Sequence, residues 1–183
     1  MGGFFSFHSY SQTAEEIFIK QVITSRFVYE KPLDLRLRLS DTADYQDNFI
    51  ERTGHSIDNK LLIALIHKSE SADTSNWSDS ELPNAFLIDR KKNEPRSSYF
   101  FNKYKPSTRI DTLRLKDIIE HYRTILKEGG AYNYSRPVFD DTRKYALVGY
   151  DYGYNLSGRG QIVVYYFSEE KWVELGPIKT WIH

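Results

Sequence analysis

Apolar positions recur at helical spacing through most of the first 130 residues and at strand spacing after Gly130. Thr13-Ala14-Glu15-Glu16 reads as a capping box, with Thr13 as N-cap and Glu16 at the third helical position. Ile17, Phe18, Val22 and Ile23 follow at near-helical spacing, which predicts a helix over 14–27. Lys31-Pro32 ends any helical tendency. Leu33, Leu35, Leu37 and Leu39 then alternate with Asp34, Arg36 and Arg38, the pattern of a half-exposed strand. Tyr45, Phe49 and Ile50 predict a weak helix over 41–53, stopped at Gly54. Leu61, Leu62, Leu65 and Ile66 predict a second over about 58–68, followed by a loop rich in Ser, Asp and Asn. Ala85–Asp89 is a short buried-strand candidate. Leu115, Ile118, Ile119, Tyr122, Ile125 and Leu126 form the cleanest helical stripe, and Gly129-Gly130 stop it.

Beyond Gly130 the chain reads as consecutive strands. Pro137-Val138-Phe139 leads into a turn at Asp140-Asp141. Tyr145–Tyr154 and Gln161–Phe167 are strands joined by an SGRG turn, and Trp172–Leu175 and Ile178–Ile182 complete the series. The predicted fold class is α+β. A helical part with a short strand or two spans 13–130, and an antiparallel β-meander of three or four strands spans 131–183, together one domain. Residues 1–12 (MGGFFSFHSYSQ) read as a disordered start or the remnant of a secretory signal.

Composition removes several classes of chemistry. With no cysteine there are no disulfides, thiol nucleophiles or Cys-zinc sites. Lys+Arg and Asp+Glu both number 25, so the net charge is zero and a broad electrostatic grip on nucleic acid is not expected. No run is long and apolar enough for a membrane span. The five histidines form no HExxH or other close pair, and no calcium-loop spacing follows Asp140-Asp141, so neither a metal site nor a cofactor is predicted.

The unusual content is aromatic, with 14 Tyr, 11 Phe and 3 Trp. Alternate strand residues share a face, so Tyr150, Tyr152 and Tyr154 line one side of their strand. Such a ladder suits a sugar, peptide or protein partner, since Tyr joins a rigid apolar ring to a polar tip; packing within the sheet accounts for it equally. Arg159, in NLSGRG, is placed at a hairpin tip where it meets an anionic group of a partner; that glycine pattern precedes a strand and not a helix, so it is no phosphate loop. Residues 90–109 interleave Tyr99, Phe100, Phe101 and Tyr104 with seven basic residues against Glu94, and Tyr99 and Tyr104 join the candidate binding set. Asp117 and His121, four apart on the strong helix, are the candidate acid/base pair of an enzymatic reading and equally an ordinary helix-surface pair.

His121-Tyr122, Ser135, Phe139, Ala146-Leu147-Val148, Leu156, Gly158, Gly160, Trp172 and Trp181 together give this stretch a likeness. Residues 121–183 resemble the C-terminal module of a scattered set of uncharacterised secreted bacterial proteins. Tyr152 and Ser157 stand where those relatives carry cysteines, and Glu170-Lys171 replaces their Asn-Gly or Gly-Lys turn. The resemblance implies a secreted or periplasmic location and no activity; a cytoplasmic domain is the other reading. The expected function is a non-enzymatic module that binds a macromolecular partner, protein or peptide first and carbohydrate second, of which an inhibitor or immunity protein is one form. The alternative is a small hydrolase using carboxylate or His acid–base chemistry.

Overall fold

A computed structural model of the chain describes residues 13–39, 49–50, 54, 57–92, 94–95, 109–154 and 157–182. The expectations for residues 1–12, for Tyr99 and Tyr104, and for all but Phe49 and Ile50 of the 41–53 helix lie outside these residues.

The fold is α+β, but the division into a helical first part and a β-meander is corrected. One mixed sheet of eight strands draws on both parts. The N-terminal part supplies β1 (Phe27–Tyr29), β2 (Phe86–Asp89) and β3 (Glu94–Pro95). The C-terminal part supplies β4 (Ala131–Tyr134), β5 (Val138–Phe139), β6 (Tyr145–Tyr154), β7 (Ser157–Ser168) and β8 (Lys171–Ile182). The order is β3-β2-β1-β4-β6-β7-β8, with β5 paired to β6 off that path. β1 runs parallel to both β2 and β4, and the other pairs are antiparallel. Leu87 packs into the cluster under α1 and Phe86 and Ile88 into the cluster on the other face, so β2 is covered on both sides and reads as an unbroken apolar run.

Helices cover both faces. On one lies α1 (Ala14–Val22), whose capping box forms as expected: the Thr13 hydroxyl accepts from the Glu16 N–H and the Glu16 carboxylate from the Thr13 N–H. Phe18 of α1 packs with Ala146, Val148, Val163, Tyr165 and Trp172. On the other face lie α2 (Asn59–Ser69) and α3 (Arg109–Gly129). Leu62, Leu65 and Ile66 of α2 meet Leu147, Ile162 and Val164, the strand residues that alternate with those under α1. Leu115 and Leu126 of α3 cluster with Phe27, Phe86, Ile88 and Ala131.

The leucine run 33–39 is no strand. The Asp34 carboxylate accepts from the Arg36 N–H at 3.1 Å and grips its guanidinium at 2.8 and 2.6 Å, which closes a 3-10 turn over Leu35–Leu37. Leu35 and Leu39 turn inward one helical turn apart and Leu37 faces solvent, so the alternation is accidental. The SGRG turn is also corrected: Ser157–Gly160 are strand residues paired with Tyr154–Asp151.

Gly130 ends α3 in the left-handed region, φ +70°, where a Cβ would meet the Gly153 carbonyl oxygen at 2.6 Å. Gly130→Ala is therefore expected to destabilise by about 2 kcal/mol. Gly129→Ala, with open space around it, should be neutral or slightly stabilising. Urea denaturation of the two variants side by side checks this pair.

The Asp140 turn predicts acid sensitivity. Burial alone would raise its carboxyl, but hydrogen bonds from the Thr142 hydroxyl and from the N–H groups of Tyr145, Thr142 and Lys144 outweigh it and hold it below its ordinary 3.8. Glu81 is likewise held below 4.5, burial being outweighed by Arg136 and Ser78. Both groups bind protons more readily unfolded, so their stabilisation is complete above those ordinary values and lost as pH falls through the lower folded-state values. Unfolding free energy measured from pH 6 to pH 2 should decline, and the decline should be shallower in Asp140→Asn.

Candidate functional site

The candidate site is a groove of about 620 Å³ on the α1 side of the sheet. Its floor follows from strand register. Tyr132 and Tyr134 of β4 stand opposite Tyr152 and Tyr150 of β6. Tyr152 and Tyr150 stand opposite Arg159 and Gln161 of β7, and these opposite Ile182 and Thr180 of β8. Directly paired residues share a face, so the set forms one surface crossing four strands. The chain leaving α1 supplies the wall, through Val22, Thr24 and Ser25.

The four central tyrosines pack on one another. Ring centroids of Tyr132 and Tyr152 lie 4.7 Å apart, those of Tyr132 and Tyr134 5.6 Å apart and nearly parallel, and those of Tyr134 and Tyr150 5.8 Å apart. Most of the hydroxyls are tied. Tyr134 shares a 2.8 Å hydrogen bond with Ser25, Tyr152 donates to the Gly129 carbonyl at 2.5 Å, and Tyr150 accepts from the Gln161 amide. Tyr165 donates to Glu174 at 3.2 Å. The Tyr132 hydroxyl makes no hydrogen bond to a described residue. Such mutual packing fixes the rings before any ligand arrives, which lowers the ordering cost of binding.

Burial holds the phenols of Tyr134, Tyr150 and Tyr165 in the neutral form. Burial pushes the Tyr134 hydroxyl up to about 12, against the pull of Ser25. Burial and the neighbouring Glu174 carboxylate raise Tyr165 and Tyr150, with Gln161 and Arg159 partly offsetting the rise at Tyr150. Among the described lining residues, Arg159 is the only cationic one. It is exposed and has no ion-pair partner among the described residues.

Of the residues singled out from sequence, Tyr150, Tyr152 and Arg159 come together here. They line a groove and not a flat platform, since α1 and its following turn rise beside them. Tyr154 sits two residues further along β6, its side chain outside the described ones. Tyr132, Tyr134, Gln161, Thr24, Ser25 and Thr180 were not anticipated. Tyr132 and Tyr134 had a visible signal in the period-two spacing of AYNY; Thr24 and Ser25 had none, because the docking of α1 alone brings them there.

Asp117 and His121 are exposed on α3, whose packing partners lie on the opposite face of the sheet from the groove. Among the described lining residues there is no Asp, Glu or His. The Glu174 carboxylate, paired with the lining residue Tyr165, is engaged by its hydroxyl. No family model, curated protein or solved structure matches the chain. No helix among the described residues is long and apolar enough to cross a membrane.

Proposed function

We propose that this protein is a non-enzymatic binding module, secreted or periplasmic, that holds a macromolecular partner in the tyrosine groove. The observation that carries the reading is the make-up of the groove: packed rings, hydroxyls and an amide already oriented, one exposed arginine, and no described lining residue that exchanges a proton near neutral pH. Hydrolysis by general acid and base needs two titratable groups flanking the scissile bond. The secreted or periplasmic placement rests on the resemblance of residues 121–183. An inhibitor or immunity role is the form this function takes if the partner is a protein.

The test is retention of the purified chain on arrays of immobilised oligosaccharides and peptides, with recovery of the retained ligand for mass analysis. One ligand class should be retained, recovered uncleaved, and released at least tenfold more readily by Tyr152→Ala. Thr24→Trp, which fills the groove from an exposed rim position, should act alike without touching the packed rings. Retention of nothing, equal retention by both variants, or recovery of a cleaved ligand would overturn the reading.

A further inference from the structure

We propose that the ligand of this groove is an acidic oligosaccharide, lying across the strands with a carboxylate on Arg159. The inference rests on the binding reading above and names the ligand class.

The direction of the groove comes first. It crosses β4, β6, β7 and β8, three strand intervals, a span of about 14 Å that matches a short oligosaccharide. A peptide that binds by adding a strand needs a free sheet edge, where unpaired N–H and C=O groups await it. Across the interior of this sheet those groups are paired in the ladders between β4, β6, β7 and β8. What the groove presents is side chains: the hydroxyls of Thr24 and Tyr132, the Gln161 amide and the Arg159 guanidinium. Sugars are read by such groups together with aromatic surface, which covers their C–H patches while the phenolic tips meet their hydroxyls.

Charge narrows the class. Arg159 stands between Tyr152 and Ile182, on the flank of the groove away from Glu174, and a guanidinium binds a carboxylate through two parallel hydrogen bonds. Glu174, paired with Tyr165 further along β7, disfavours an anion on the opposite flank, which leaves the Arg159 flank for the carboxylate. A single cation among the described lining residues, in a chain of zero net charge, suits a ligand with one carboxylate at that position, and not a polyphosphate backbone, which demands many. With no pair of carboxylates among the described lining residues, the sugar is held and not cleaved.

The test uses calorimetric titration of the full chain with three uronate probes: trigalacturonate, trimannuronate and a hyaluronan tetrasaccharide. The methyl ester of each, maltotriose and an Asp/Glu-rich peptide are the controls. At least one uronate should bind, with its neutral ester at least tenfold weaker. Arg159→Gln should weaken the acid at least tenfold and bring it toward the ester, with the thermal midpoint of the variant matching that of the parent chain, which a general loss of folding would not do. Equal binding of acid and ester, insensitivity of the acid to Arg159→Gln, or binding of the acidic peptide alone would overturn the inference. If no uronate binds while the arrays show another ligand lost with Thr24→Trp, this inference falls and the binding reading stands. If neither experiment finds a ligand, both fall.

Discussion

Replacing Phe18 with alanine is expected to destabilise the protein by about 3–5 kcal/mol, the largest effect of any single side chain considered. Phe18 is fully buried and is the anchor of a helix only nine residues long. A helix that short has little stability of its own, so its position depends on what it packs against. Its ring meets Phe139, Tyr165 and Trp172 edge to face, with centroids at 5.6, 5.4 and 5.0 Å. Such contacts add to the area term, and three aromatic neighbours cannot collapse readily into the space left behind. Phe18→Leu, which fills most of the volume, should lose only about 1–2 kcal/mol. Chemical denaturation of both variants gives the comparison, and a loss under about 1 kcal/mol for Phe18→Ala would show that α1 is not held through this contact. The change also bears on function, because α1 sets the position of Val22, Thr24 and Ser25. Phe18→Ala should weaken ligand retention even at temperatures where the variant is folded.

What was legible in the sequence follows how local each feature is. The capping box, the stripes of α2 and α3, the AFLID strand and the pairing of β6 with β7 are written in neighbouring residues. β1 is three residues long, too short to show a period, and exists because β2 and β4 flank it from distant parts of the chain. Its recruitment turns an expected meander into a mixed sheet. The leucine run shows the opposite error: period two was present, but the local competition of Asp34 for backbone and guanidinium decided the conformation. β8 reads as two segments because Gly176-Pro177 interrupts it. An edge strand tolerates a proline, whose missing N–H can face outward, and the register shifts at Ile162/Val163 and Val164/Tyr165 absorb the irregularity.

The site divides in the same way. Tyr150, Tyr152 and Arg159 were findable because strand alternation and hairpin pairing put them together. The groove needs more: Tyr132 and Tyr134 arrive through the antiparallel pairing of β4 with β6, and the wall arrives through α1. Strand period therefore shows which residues share a face, and only tertiary packing shows that the face is recessed.

The second large effect is expected at Arg136, where Arg136→Met should destabilise by about 3 kcal/mol. Its side chain is 11% exposed and lies 4.1 Å over the ring of the buried Trp77. The guanidinium is ion-paired with Glu81 and donates to the Asn76 carbonyl at 3.1 Å. Glu81 also accepts from the Ser78 N–H at 2.8 Å and from its hydroxyl at 2.7 Å. One arginine thus gathers the polar loop that follows α2 and presses Trp77 into the cluster containing Val28, Leu87 and Tyr134. Removing it leaves a carboxylate without its main partner and strips the cation from the indole face. Glu81 is about one-third exposed, so water recovers part of the loss, which sets the value at the low end for a broken buried pair. Arg136→Lys should recover little, since an ammonium can neither stack on Trp77 nor hold Glu81 and the Asn76 carbonyl as a planar fork does. The double variant Arg136→Met, Glu81→Gln should regain about 1 kcal/mol over Arg136→Met, because no unpaired charge remains. A purely additive double-mutant cycle would show that the loop is held by Trp77 packing and not by the pair. Because Tyr134 joins that cluster and forms part of the groove floor, a loop loosened at Arg136 should also reach the groove, readable as faster hydrogen exchange at the β4 amides in Arg136→Met than in the parent chain.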